Sequence, residues 1–402
     1  MGKKIIVLGG GFAGVEAIQK LVKYLSKDDA EITLMEKDDA QTFRTELHKF
    51  ACERIDLNAA RFPLEKIIDT KRVDIVKGEA KKVDIKNKKI VSGSKEYGYD
   101  FLVLAFGSEP NFFGIPGMKE NALSFWTLED AKKINDHVKR CFSDVKKVKD
   151  ANERQKMLTF VVGGGGFTGV EMMGELMRWV DKLCRTYLVD RKEIKLMIVE
   201  ALPRILPNIS KDSAVQKAIK YMKKYGVEVK TNSMITNVSK DGLTLKSGES
   251  IPTNTLIWSG GVQGNSFSSQ IDLNKDKRGR IVVNEYMESS DPSVYAIGDI
   301  ASYVDKSNKP MPGLVESAMQ SADVAASNVA SQIKGGQKKS LDLKLHGNIV
   351  YIGKSYGVAN INGLGNFGGY IAIPMKHLVN IQHSFHVGGF GMVFKYLGDQ
   401  IF

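Results

Sequence analysis

Two sets of residues are spaced to bind dinucleotides. Gly9, Gly11 and Gly14 form a GxGxxG segment, and Glu36 follows 22 residues after Gly14. In this pattern the first glycine turns the chain tightly and the second lets the backbone approach a pyrophosphate. The third lets a helix pack close to a strand; the helix N-terminus offers unpaired N–H groups to the phosphates, and the acid accepts from a ribose hydroxyl. Gly164, Gly166 and Gly169 repeat the segment, and Glu200 comes 31 residues after Gly169. Glu200 suits a free ribose 2′-OH and repels a 2′-phosphate, and no basic residue follows it before Arg204. The second site therefore favours NADH over NADPH. Two nucleotide sites in one chain imply two cofactors that exchange electrons, a flavin dinucleotide and a nicotinamide.

Each set needs a strand, a loop and a helix to hold it. Ile5–Leu8 supplies the first apolar strand, Val15–Leu21 the helix, and Glu31–Met35 the second strand that ends in Glu36. Thr159–Val162 and Lys195–Val199 play the same parts for the second set. At an offset of 155, Ile6–Glu16 and Val161–Glu171 match at eight of eleven positions. The second helix is long, with Met172, Leu176, Trp179, Val180 and Leu183 on one face. Two further strand-like runs, Tyr99–Ser108 and Ser293–Asp299, end in Gly107 and Asp299, and Asp299 falls where open α/β sheets place ligands.

The 402 residues accommodate two or three domains. Glycine is in excess, 39 of 402 against a background of about 7%. At 43% hydrophobic the chain fills packed cores, so disorder is excluded. The longest apolar run, 101–106, is strand-sized and short of a transmembrane helix. Met1-Gly-Lys-Lys runs straight into a strand, so no signal peptide is expected. Three cysteines without a CxxC pair favour neither a disulfide framework nor a metal site. The net charge of +12 is dispersed, and no basic–aromatic motif invites nucleic acid.

Four more segments narrow the reading: Thr45-Glu46-Leu47-His48, Val162–Glu171 with Glu175-Leu176, Thr255–Val262, and Ala318-Met319-Gln320. With these the chain resembles, over essentially its whole length, a type II NADH:quinone oxidoreductase of the two-dinucleotide-binding-domain flavoproteins. The resemblance implies an α/β fold with two Rossmann-like domains and a C-terminal membrane-facing α+β region. It implies non-covalent FAD on Gly9, Gly11, Phe12, Ala13, Gly14, Glu36, Lys37, Thr45, Ala80, Gly107, Asp299, Ser317 and Ala318. NADH would lie on Gly164, Gly166, Thr168, Gly169, Glu200, Gly261 and Val262. Glu171 would face the nicotinamide–flavin contact, Glu316 and Gln320 would bridge the quinone head group, and Lys376 would lie near its pocket. The family's quinone motif reads Ala-Gln-x-Ala-x-Gln-Gln. Here Glu316 stands for the first glutamine and Ser321 for the last, and Glu316 can donate to a quinone only when protonated.

Related disulfide reductases need paired cysteines beside the flavin. Cys52 has no partner nearby and has Glu53 beside it, which disfavours a thiolate, while Cys141 and Cys184 sit on apolar helix faces. The expected function is non-proton-pumping NADH:quinone oxidation on menaquinone or ubiquinone. The alternatives are a soluble NADH oxidase or peroxidase and an NADH-sensing flavoprotein that signals through a partner.

The expected domains are 1–125 with 266–345 for FAD, 126–265 for NADH, and 346–402 for membrane association. In the last, residues 351–361 read as one strand and 363–369 as a glycine-rich turn. Leu378, Ile381, Phe385, Met392 and Tyr396 then recur near helical spacing around Gly388-Gly389, and Phe390, Phe394, Ile401 and Phe402 add to an apolar end. Two amphipathic segments on a glycine hinge would lie in the bilayer interface. The expected setting is a peripheral homodimer on the cytoplasmic face of the inner (plasma) membrane.

Overall fold

The computed structural model describes residues 2–209, 211–353 and 356–401, with side chains described as far as residue 398. The side chains of Ile401 and Phe402, counted above in the apolar end, lie outside the described residues.

Two parallel sheets share one topology. In the first, β1 (Lys3–Leu8) has β2 (Ala30–Glu36) and then β3 (Val73–Lys77) on one side. On the other side lie β4 (Phe101–Leu104) and then Val294–Ala296, which returns from late in the chain. Ile5–Leu8 and Phe101–Leu104 are buried throughout, as parallel strands covered on both faces are. Helix α1 (Phe12–Tyr24) turns Val15, Ala17, Ile18 and Leu21 to this sheet. The strand order reverses between β1 and β4, so the first glycine loop opens at the switch point, where such sheets bind ligands.

The second sheet repeats the plan. There β5 (Thr159–Gly163) has β6 (Lys195–Val199) and β7 (Val227–Lys230) on one side. β8 (Thr255–Trp258) and the short strand Leu123–Ser124 lie on the other. Helix α2 (Phe167–Tyr187) is long and packs on β5 and β6, with Met172, Leu176, Trp179 and Val180 fully buried. Helix α3 (Val315–Lys334) follows the Asp299 turn and packs along α1.

The C-terminal region differs from expectation in its strands. β9 (Gly347–Tyr351), β10 (Gly357–Ile361) and β11 (Gly365–Gly369) form an antiparallel meander. The run read as one strand is broken at Gly353, and most of the run read as a turn is the third strand. Gly353 is in the left-handed region (φ +92°), and a Cβ on it would fall 2.2 Å from the Gly174 carbonyl oxygen. That close approach seats the meander on α2. Helix α4 (Ala372–Ile401) breaks at Gly388 and Gly389. Gln19 Nε2 donates to the Val387 carbonyl beside the break at 2.9 Å. The apolar positions of α4 divide: Val387, Met392 and Tyr396 join the core of the first sheet, while Leu378, Val379, Phe385, Phe390 and Phe394 are exposed. Among the described residues no helix is long and apolar enough to cross a membrane.

Candidate functional site

Both glycine loops end in a helix that no side chain caps. Gly11 is the N-cap of α1 and Gly166 that of α2. The helix Leu128–Asp144, by contrast, has a capping box from Thr127 and Asp130. A Cβ at Gly11 or Gly166 would meet nothing within 4 Å, so open space lies beside each helix N-terminus and its orphan amides. At Gly14 a Cβ would fall 1.7 Å from the Gly9 carbonyl oxygen, and at Gly169 2.0 Å from that of Gly164. Those two positions admit only glycine. Glu36 accepts from the Gly10 N–H and, through its other oxygen, from the Lys37 and Asp38 N–H groups at 2.8 and 3.1 Å. Glu200 repeats this with the N–H groups of Gly165 (2.5 Å) and Leu202 (2.7 Å). Each acid is thus fixed at the mouth of its loop.

Around the first cleft, the Asp299 turn reaches over the loop: a Cβ at Gly298 would lie 2.9 Å from Cβ of Ala13. Asp299 accepts from Ser108 Oγ at 2.8 Å. Ser321 is buried and its Oγ accepts from the Gly298 N–H at 3.0 Å, so it braces this turn. The hydroxyls of Thr45 and Ser317 are buried with no hydrogen-bond partner among the described residues. Buried orphans of this kind, beside an uncapped helix and an open second glycine, fit a dinucleotide. Ala80 and Ala318 are buried, Phe12 and Gly107 half-buried, and Lys37 exposed. In the second cleft, Thr168 is exposed and Gly261 and Val262 are half-buried. Val262 pairs with Pro110 in a two-stranded ladder that ties this cleft to the chain leaving Gly107.

Glu171 and Lys376, far apart in sequence, meet where α2 abuts the tail. Glu171 is the fifth residue of α2, past the first turn. Its Oε1 accepts from Lys376 Nζ and from the Tyr351 N–H at 3.1 Å, and His48 Nδ1 lies 3.9 Å from its Oε2. Next to this pair Glu46, wholly buried, is paired with Lys49 and accepts from Asn380 Nδ2 at 2.8 Å. Tyr396 Oη lies 3.1 Å from the same amide nitrogen and 2.8 Å from His377 Nδ1. Arg54 and Arg178 hold Glu175 at 2.6 and 2.8 Å.

Burial sets the protonation of this cluster. It pushes the Glu171 carboxyl up, against the pull of Lys376. It drives the His48 imidazole well below its ordinary value, and Lys376 adds to that, so His48 is neutral. Burial also opposes the charge on Lys376, but Glu171 and Glu46 outweigh it and keep the ammonium. At Glu46 burial is likewise overcome, here by Lys49 and Lys376, and the carboxyl falls to about 2. A fixed cation thus stands between one carboxylate that stays ionised and one that accepts a proton readily. Glu16, the counterpart of Glu171 in the first repeat, is also bound to the tail, through His386 Nε2 at 2.6 Å.

Glu316 and Gln320 lie apart from this pair and face the connector that precedes β9. Gln320 exchanges two hydrogen bonds with the Lys344 backbone, at 2.7 and 2.9 Å. Glu316 accepts from the His346 N–H at 3.1 Å and lies 2.9 Å from His346 Nδ1. Among the described residues, the partners on their shared face are the Lys344 backbone and the backbone and ring of His346.

Sequence reasoning gave no role to Glu46, His48, Lys49 or Asn380. The signal for the first two was present in the Thr45–His48 stretch, but nothing local tells a buried charge from an exposed one.

A model of the pyridine nucleotide-disulphide oxidoreductase family matches residues 3–326. The type II NADH:quinone oxidoreductase of Staphylococcus saprophyticus is 32% identical over 399 residues, covering 98% of each chain. That of Staphylococcus aureus is 31% identical over 400 residues with the same coverage. The structure of NDH2 from Plasmodium falciparum in complex with NADH superposes with a TM-score of 0.90 at 19% identity, covering 100% of this chain and 98% of that one. The sulfide:quinone oxidoreductase of Aquifex aeolicus gives 0.78 at 16% identity, over 94% and 90%. At those identities the two structures speak for the fold. The disulphide in the family's description has no counterpart here: Cys52, Cys141 and Cys184 are free and buried, and burial pushes all three thiols up.

Proposed function

The chain belongs to the pyridine nucleotide-disulphide oxidoreductases and, among them, to the type II NADH:quinone oxidoreductases, and from that premise we propose how its residues divide the work. It is an FAD-dependent NADH dehydrogenase that reduces a quinone without pumping protons. When bound, the flavin supplies the two-electron chemistry between hydride donor and quinone.

The observation that carries the division is the pair of uncapped helices, one on each sheet. FAD is assigned to the first, with the Thr45 and Ser317 hydroxyls as donors, Glu36 on the ribose and Asp299 toward the ribityl–diphosphate stretch. NADH is assigned to the second, with Glu200 on its ribose and Gly261-Val262 beside it. The corresponding domains are 1–125 with 266–345, then 126–265, then 346–402. Lys376 holds a positive charge beside the reaction, and Glu171 holds or releases a proton at its carboxyl. Gln320 and Glu316 act as positioning residues: they fix the connector 344–346, hence β9 and the Tyr351 N–H that meets Glu171. The exposed Leu378, Val379, Phe385, Phe390 and Phe394 support peripheral docking on the cytoplasmic face of the inner membrane, where the quinone lies. The reading includes a homodimer, which light scattering tests.

Buried thiols argue against the peroxidase alternative, since Cys52 is neither accessible nor easily ionised. The test is NADH oxidation by the FAD-loaded protein with and without menadione. Turnover that depends on menadione and strongly prefers NADH to NADPH is expected. Turnover set by oxygen and indifferent to menadione overturns the reading.

A further inference from the structure

Arg44 stands on the wall of the first cleft with its charge unanswered. It follows Phe43, whose ring lies 6.1 Å from that of Phe12 in the glycine loop, and it precedes Thr45 with its orphan hydroxyl. Its guanidinium lies 4.7 Å over the ring of Trp126. Trp126 is itself fixed: Nε1 donates to the Ser108 carbonyl at 2.9 Å, and Ser108 Oγ donates to Asp299. The guanidinium is thus set between the glycine loop and the Asp299 turn. Asp299, Glu36, Asp38 and Asp130 all act on it electrostatically. Among the described residues, none of them pairs with it, and its side chain makes no hydrogen bond. It is open to water although protein crowds it closely.

We propose that Arg44 is the cation that binds the diphosphate of the flavin dinucleotide. This rests on the assignment of FAD to the first cleft. Glu36 marks the ribose at one end of that ligand and Asp299 the ribityl chain at the other. The diphosphate joins the two, so a cation placed between both acids stands beside it. Glu36, Asp38 and Asp299 would repel the diphosphate, and Arg44 offsets them. A guanidinium held over Trp126, with no hydrogen-bond partner among the described residues, has its N–H donors left for phosphate oxygens. Trp126 lies between the strand Leu123–Ser124 of the second sheet and the N-cap Thr127, so the same contact ties the flavin site to the chain entering the NADH body.

The test is FAD release from the holoenzyme, followed by flavin fluorescence on dilution. Arg44→Gln is expected to weaken retention about ten- to a hundredfold, and Arg44→Lys less. Trp126→Leu is expected to weaken it about two- to fivefold. Added salt should speed release from the wild type more than from Arg44→Gln, because only the former has the charge to screen. Melting curves at saturating FAD identify a variant that has failed to fold. If Arg44→Gln does fail, the salt dependence kept by Arg44→Lys decides the matter, and its absence overturns the proposal. Unchanged FAD retention in a folded Arg44→Gln, with or without a raised KM for NADH, also overturns it. A wild type that holds no FAD at all would instead overturn the assignment of the first cleft.

Discussion

Replacing Lys376 by Met removes the cation that lies between Glu171 and Glu46. Lys376 and Glu171 are only 13% and 12% exposed, so the carboxylate left behind has little water to turn to. Breaking a buried pair by removing one partner costs about 3–5 kcal/mol. Glu171 can lower that cost by taking a proton, since burial already raises its carboxyl. A carboxyl raised in the folded state binds its proton more tightly there than in the unfolded chain. Stability therefore falls as pH rises from the ordinary carboxyl range through the folded value. Removing Lys376 moves that folded value further up and widens the window. At about 1.2 °C per kcal/mol for a chain of 402 residues, the FAD-saturated Lys376→Met variant should melt about 4–6 °C below wild type near neutral pH. The deficit should shrink as pH falls and Glu171 takes up its proton. Glu171→Gln combined with Lys376→Met should recover much of the loss, because neither charge is left alone. A deficit independent of pH, or losses in the double variant that add within about 0.5 kcal/mol, would refute the pairing as its cause.

Gly11→Ala should keep the wild-type melting temperature without FAD and lose FAD affinity, since its methyl meets only the space for a ligand. Gly14→Ala, whose methyl would fall 1.7 Å from the Gly9 carbonyl oxygen, should lose both, as melting curves with and without FAD would show. Glu200→Ser should raise the KM for NADH about tenfold or more and narrow the preference over NADPH, read from initial rates with each. Glu16 raises the His386 imidazole, so their pair contributes fully below the ordinary histidine value and is lost as pH rises through the raised one. Glu16→Gln should accordingly lower the melting temperature at about pH 6 and have little effect near about pH 9. Phe390→Ser with Phe394→Ser should reduce co-sedimentation with anionic liposomes while leaving NADH–menadione turnover in solution intact. Undiminished pelleting would remove that face from membrane docking.

The fingerprints were legible because their geometry is local. A strand, three glycines, a helix and a terminal acid specify a cleft within about thirty to forty residues, and the apolar runs of β1, β4 and β5 are continuous because both faces of those strands are covered. The tail was legible as helix and hinge but not in its strands: only the fit of Gly353 against Gly174, on a distant helix, fixes the break. The charged cluster was the least legible part. Glu171 and Lys376 are 205 positions apart and Glu46 and Asn380 334 apart, and no periodicity joins such residues. Glu316 and Gln320 do share a helix face, as a spacing of four requires. What occupies that face depends on where residues 344–346 run, which the helix pattern does not contain.

The two half-reactions, measured separately by stopped flow, test the central claim most directly. The FAD-loaded enzyme is first mixed with NADH without air, and the reduced enzyme is then mixed with menadione or with oxygenated buffer. Fast loss of flavin absorbance with NADH, followed by reoxidation that is much faster with menadione than with oxygen, is the expected result. Reoxidation faster with oxygen or peroxide than with menadione, or slow with all of them, would contradict it.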